Sequence, residues 1–160
     1  MDSSPTHSTS TLTDNALIAE GRRVLRIEAA AVAALEERID EHFAQACRIV
    51  AGASGRIVVC GIGKSGHIGR KIAGTLTSTG TPAAFLHAVE ALHGDLGIVG
   101  RDDVAIMISR SGEGSELGQL TEYLTRIGVP IIAVTGRTDS ALAADATVVL
   151  DISVAEEACP

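Results

Sequence analysis

A lysine, a serine and three glycines follow directly on a short apolar segment. Residues 57–60 carry no polar side chain, and GIGKSG comes next at residues 61–66. A strand that ends in a glycine turn before a helix leaves backbone N–H groups unpaired at the positive helix end. Such a place binds an anion, most often a phosphate, and Lys64 and Ser65 add an ammonium and a hydroxyl. The pattern predicts a phosphate-binding α/β domain.

A second loop of serines and glycines, SRSGEGS at residues 109–115, follows another apolar segment. Alone, such a loop is most often a turn and a helix cap. If the two loops follow strands that are neighbours in the sheet, they would together form a compact site for one phosphate, too small for a dinucleotide. The alternative of two ordinary helix caps uses the same residues and stays open.

Nucleotide binding is disfavoured by two details. GIGKSG matches the dinucleotide pattern G-x-G-x-x-G, but that fingerprint also requires an acidic residue at the end of the second strand. Here that strand ends in Phe85, Leu86 and His87. A phosphate-binding P-loop would need a glycine where Val58 stands.

Three further polar residues are candidates for chemistry. His93 begins HGDLG, a loop segment in which a histidine is more often functional than part of a core; a solvated surface turn is the alternative. Glu116 fits an ordinary first-turn helix carboxylate, and Glu157 forms an acidic pair with Glu156. Periodicity assigns neither glutamate a catalytic role.

Composition limits the function classes. Hydrophobic residues make up 46% of the 160 residues and aromatic residues 2%, which favours an Ala, Val, Ile and Leu core between helices and a parallel sheet. A net charge of −7 disfavours nucleic acid as a partner.

No apolar segment approaches the ~18 residues of a membrane span, and the N-terminus lacks the pattern of a secretory signal. Three widely spaced cysteines indicate reduced thiols and a cytoplasmic location.

Strand and helix patterns alternate after residue 52. Strands are predicted at residues 57–60, 83–86, 104–108, 130–134 and 147–150, with helices at 68–76, 89–92, 116–127 and 140–144. This alternation predicts a doubly wound five-stranded parallel sheet of the flavodoxin-like order 2-1-3-4-5. Strands one and three are then neighbours at the switch point, and the two loops face one crevice.

The first third of the chain has a different pattern. Residues 1–13 are predicted to be a disordered tail, residues 14–52 a helical segment and residues 53–160 the α/β domain. A helical pattern covers residues 16–51, and the helix could break near residues 38–41. Apolar residues recur every seven positions in it, at Ile18, Leu25, Val32 and Ile39. That spacing suits a helix pair, a contact with another subunit, or a helix that covers its own sheet.

Four segments together resemble a known family: residues 61–82, HGDLG, ISRSGEGSE and VAEEACP. In this order they are similar to the sugar isomerase (SIS) domain of the arabinose-5-phosphate isomerases, and the resemblance covers about residues 14–160. It implies interconversion of D-ribulose 5-phosphate and D-arabinose 5-phosphate through a cis-enediolate, in the supply of Kdo for lipopolysaccharide. It also implies a homotetramer and no metal or organic cofactor.

The resemblance assigns roles to matched positions. Lys64 would stabilise developing negative charge, His93 and Glu116 would be polar residues of the site, and Glu157 would be the base. The residues that would bind the substrate phosphate are Gly63, Ser65, Ser109, Ser111, Gly112 and Ser115.

The sequence also departs from the family pattern. Arg110 stands where the family usually has asparagine, and Gly114 where it has serine. Family members continue with a closing helix, a histidine-containing segment and usually a pair of CBS domains, so the resemblance implies a C-terminally incomplete SIS domain. A sugar-phosphate-binding regulatory module without catalysis, or an inactive fragment, is therefore the alternative.

Overall fold

The structure is a computed structural model that describes residues 13–159. The described residues divide into two compact units, one of residues 13–36 with 154–159 and one of residues 37–153. The predicted disordered tail lies outside the described residues except for Thr13, whose hydroxyl caps the first helix by accepting from the Ala16 amide. The predicted boundary between residues 52 and 53 stays a prediction.

The first unit consists of one long helix and the C-terminal segment. Helix α1 runs over Asp14–Ala34 and buries none of its residues. Ile18, Leu25 and Val32, spaced seven residues apart, are 53%, 66% and 68% exposed. The apolar stripe predicted from the sequence is therefore an uncovered surface of α1.

The second unit is a parallel sheet with helices on both faces. Its strands are β1 Ile57–Gly61, β2 Ala83–His87, β3 Val104–Ser109, β4 Ile131–Thr135 and β5 Val148–Asp151. Its α-helices are α2 Glu41–Ala51, α3 Gly63–Ser78, α4 Ala88–Leu92, α5 Ser115–Ile127 and α6 Ala141–Asp145. The strand order is 2-1-3-4-5 and every pair is parallel, which confirms the predicted topology.

Alternating side chains of the strands build a separate core on each face of the sheet. One core joins Val58, Cys60 and Met107 to α4, α5 and α6, and the other joins Ile57, Val59 and Ile108 to α2 and α3. Helices α3 and α5, which follow β1 and β3, therefore pack on opposite faces. Burial raises the pKa of the Cys60 thiol to about 12, so this thiol is a protonated core group.

The first helical region is broken close to the possible break predicted near residues 38–41, and α3 begins earlier than predicted. The helical region breaks after Ala34, and α2 begins only at Glu41, where Asp40 caps it by accepting from the His42 amide at 2.8 Å. Helix α3 begins at Gly63, which has a φ of +57°, a value that glycine adopts without steric cost. Lys64 and Ser65 therefore lie in the first turn of α3 and not in a separate loop before it.

Candidate functional site

The candidate site lies at the carboxyl edge of the sheet, where β1, β2 and β3 end side by side. Gly61 pairs with His87 of β2 and with Ile108 of β3. The segments after β1 and β3 therefore leave the sheet at the same edge, and their helices go to opposite faces. A parallel sheet binds its ligands at such a switch point.

The first turn of α3 provides an open site for an anion. The first hydrogen bond in this helix runs from the Gly66 amide to the Ile62 carbonyl at 3.3 Å. The amides of residues 63–65 precede it and have no partner within the helix. Ile62 supplies no side-chain cap, and the first turn contains no acidic residue. The positive end of the helix dipole is thus available to a ligand beside the exposed Lys64.

Helix α3 is also positive in its side chains. It carries Lys64, Arg70 and Lys71 but no Asp or Glu, although the whole chain has a net charge of −7. The Arg70 guanidinium lies 4.2 Å from the centroid of the Phe85 ring, which holds it over the sheet. This helix is therefore a local positive surface that attracts an anionic ligand.

The serine loop, residues 109–114, is shaped by its own hydroxyl groups. Ser109 is buried, and its Oγ accepts from the Gly112 amide at 3.0 Å. The Ser111 Oγ accepts from the Glu113 amide at 3.3 Å. A hydroxyl that accepts one hydrogen bond keeps its own proton for donation, so both serines can still donate to a phosphate oxygen.

The segment after β4 braces this loop. The Leu142 amide donates to the Gly112 carbonyl at 3.1 Å, and the Gly136 amide donates to the Arg110 carbonyl at 3.0 Å. Ser140, which is buried, caps α6 by accepting from the Ala143 amide. Ser140 also lies against the serine loop, since a Cβ added at Gly112 would meet its side chain.

At the start of α5, the carboxylate of Glu116 interacts with groups of the same helix turn. The Ser115 hydroxyl donates to Glu116 Oε2 at 3.0 Å. The backbone N–H of Glu116 and then this hydroxyl lower the pKa of the Glu116 carboxyl below its ordinary value. Glu116 is therefore a carboxylate at neutral pH and already interacts with the amide that a phosphate would use at α5. The start of α3 is the better place for the phosphate.

The remaining two predicted site residues belong to other segments of the chain. His93 is exposed at the C-terminal end of α4, the short helix that leaves the same edge after β2. Glu157 belongs to the first unit, in the segment of residues 154–159. Arg23 of α1 holds that segment, since its guanidinium donates to the Ala158 carbonyl at 2.8 Å and lies 3.8 Å from Glu156 Oε1. Nine of the ten predicted site residues thus belong to the second unit, and Glu157 belongs to the first.

Sequence reasoning missed His87. Its Nδ1 is the one buried side-chain nitrogen or oxygen without a hydrogen-bond partner among residues 13–159. The only signal in the sequence was its position at the end of a predicted strand. Over the same residues, no group of three or more His, Cys, Asp or Glu side chains is placed to hold a metal ion. In this part of the chain, no helix has the length and apolar character needed to cross a bilayer.

Comparison with known proteins gives consistent matches. Residues 51–159 match the SIS domain family. The arabinose 5-phosphate isomerase KdsD of Shigella flexneri is 51% identical over 140 residues, 88% of this chain and 43% of that protein. KdsD of Pseudomonas aeruginosa is 46% identical over 143 residues, 89% of this chain and 44% of that protein. The chain therefore spans less than half the length of these relatives.

A solved structure is similar over most of the chain. The Escherichia coli CFT073 protein c3406, determined in complex with A5P, superposes with a TM-score of 0.83 at 39% identity. The match covers 91% of this chain and 78% of that protein.

Proposed function

Since this chain belongs to the SIS domain family, we propose that it binds a pentose phosphate as a sugar-phosphate isomerase domain. The reaction is the interconversion of D-ribulose 5-phosphate and D-arabinose 5-phosphate through a cis-enediolate. The observation that carries the proposal is the open N-terminus of α3, with Lys64 in its first turn, at the same sheet edge as the serine loop. Two similar proteins support a pentose phosphate as the substrate: the arabinose 5-phosphate isomerase KdsD and the protein whose structure was solved in complex with A5P.

The phosphate is bound between the first turn of α3 and the serine loop. The amides of the first turn of α3, from Gly63 to Ser65, donate to it, and the Ser65 hydroxyl adds a further donor. Ser109 and Ser111 donate from the other side, and Gly112 allows the tight turn that places them. Ser115 completes the set when its hydroxyl turns from Glu116 to the ligand.

The chemistry is a proton transfer between adjacent carbons. A carboxylate removes the proton next to the carbonyl group, and the negative charge that develops on oxygen must be stabilised. Glu157 is the proposed base. Lys64 provides a cation for the oxyanion, and His93 and Glu116 orient the sugar oxygens.

Isotope exchange tests the reaction directly. Incubation of D-ribulose 5-phosphate with the chain in D₂O should place deuterium on the carbon next to the carbonyl, and NMR measures this exchange without needing net product. A parallel measurement follows the melting temperature in the presence of the same sugar phosphate, because a ligand that binds only the folded state raises it.

Two outcomes would favour the alternatives. Stabilisation by the pentose phosphate without exchange would contradict catalysis and favour a binding module, which the partial coverage of the KdsD relatives makes the second candidate. A melting temperature unmoved by any pentose phosphate would contradict binding altogether and favour an inactive fragment.

The exposed stripe of α1 is proposed to be a contact between copies of this chain in a homo-oligomer. Uncovered leucine and valine side chains at a seven-residue spacing are typical of helices that pair. Leu25→Glu combined with Val32→Glu should convert the oligomer to monomers in light scattering coupled to size-exclusion chromatography. Ala30→Glu, exposed on the opposite side of the helix, should not. A wild-type chain that is monomeric at micromolar concentration would contradict this contact.

A further inference from the structure

The segment that carries Glu157 lies outside the core and outside regular secondary structure. Strand β5 ends at Asp151, and residues 152–159 belong to no helix or strand. Within residues 154–159, every residue is exposed except Ala158, which is half-buried. A segment with so little buried surface keeps one position only where specific polar contacts hold it.

Arg23 of α1 contacts both neighbours of Glu157. Its Nη2 donates to the Ala158 carbonyl at 2.8 Å, and its Nη1 lies 3.8 Å from Glu156 Oε1. The bond to the carbonyl is the stronger contact, because the Glu156 side chain is 66% exposed and water screens its charge. Residue 157 therefore lies between two positions that a single guanidinium holds.

Glu20 orients the guanidinium for these contacts. Its carboxylate, one turn earlier on α1, accepts from Arg23 Nε at 2.9 Å and from Nη2 at 2.6 Å. A two-point pair of this kind fixes the plane of a guanidinium. Since Nη2 carries two hydrogens, it donates one to Glu20 and the other to Ala158, while Nη1 faces Glu156. Arg23 is thus an oriented anchor on a helix, which a lysine with its single nitrogen could not replace.

The position of a base decides the rate of proton transfer. A general base must come within hydrogen-bond reach of the proton that it removes, and a displacement of about 1 Å can lower the rate by about 10²-fold. Because the backbone of residues 154–159 is not fixed by burial, the position of the Glu157 carboxylate depends on anchors such as Arg23.

We infer that Arg23 is a positioning residue for the proposed reaction: it holds the backbone on both sides of Glu157 and so places the carboxylate for proton abstraction. The inference rests on the proposed function, in which Glu157 is the base. In this role Arg23 does not touch the substrate. It affects the catalytic step and not the affinity for the sugar phosphate.

Arg23→Met removes both contacts and keeps a good helix former on α1, a helix that buries none of its residues. The rate of deuterium exchange into D-ribulose 5-phosphate, measured over a range of substrate concentrations in D₂O, gives kcat and KM. We expect kcat to fall about 10-fold and KM to stay within about 2-fold, as for a misplaced base with intact substrate binding. The matched control is Arg26→Met, at an exposed position on the next turn of α1, which should change neither value.

A double-mutant cycle determines whether Arg23 acts through Glu157. Adding Arg23→Met to Glu157→Gln should cause no further loss of kcat, because a base that is absent cannot be misplaced. Independent losses that multiply in the double variant would overturn the inference. So would a wild-type kcat for Arg23→Met, an equal loss in Arg26→Met, or a change confined to KM. A wild-type chain that shows no exchange would instead refute the proposed function, and the inference with it.

Discussion

Replacing Lys64 by methionine is expected to lower the rate of the proposed isomerisation by about 10²–10³-fold, the effect of removing one group that stabilises a developing oxyanion. The ammonium lies in the first turn of α3, where the helix dipole and the unpaired amides already favour negative charge. Methionine is an unbranched side chain one atom shorter than lysine, so the main change is the loss of the charged ammonium group. The rate is measured from the conversion of D-ribulose 5-phosphate, together with deuterium exchange in D₂O.

Lys71→Met is the matched control for this substitution. Lys71 lies two turns further along α3 on the same side of the helix and is likewise exposed. Both variants should keep the wild-type free energy of unfolding within about 0.5 kcal/mol, because exposed side chains without specific partners contribute little to stability. Equal losses of rate in the two variants would show that Lys64 acts only through the general positive charge of α3.

The topology could be predicted because it follows from local patterns. Short apolar segments that alternate along the chain with helical patterns leave few alternatives to a parallel sheet. Gly128 ends α5 with a φ of +78° and Ser140 caps α6, as their residue types indicate. These features depend on residues that are close in the chain, and so periodicity and cap chemistry are sufficient.

The chemical state of the site depends on contacts that periodicity does not record. The sequence placed Lys64 and Ser65 in a loop, because Gly63 and Gly66 are poor helix formers; packing of α3 on Phe85 overrides that preference. Nothing in the order of residues shows that Glu116 accepts from its own amide, or that His87 has a buried unpaired nitrogen. Such features arise from residues that the fold brings together, and they decide which helix end is open to a phosphate.

Gly112→Ala is expected to remove phosphate binding and to destabilise the second unit by about 2–5 kcal/mol, the sum of a left-handed residue and an overpacked side chain. The φ of Gly112 is +64°, and a Cβ there would overlap the Ser140 Oγ and Cβ and lie 3.1 Å from Thr135 Oγ1. The serine loop must then move away from α6, and the Ser109 hydroxyl loses the amide that orients it. Denaturant unfolding and phosphate titration measure the two effects.

Two further variants separate strain from overlap. Gly128 also has a positive φ, but a Cβ there would meet no atom within 4 Å. Gly128→Ala should therefore cost only about 1–2 kcal/mol and leave phosphate binding unchanged. Adding Ser140→Gly to Gly112→Ala removes the overlapping atoms, while glycine keeps most of the N-cap stability. The double variant should thus recover both stability and phosphate affinity relative to Gly112→Ala. If Gly112→Ala still folds and binds phosphate with unchanged affinity, the serine loop does not contribute to the phosphate site.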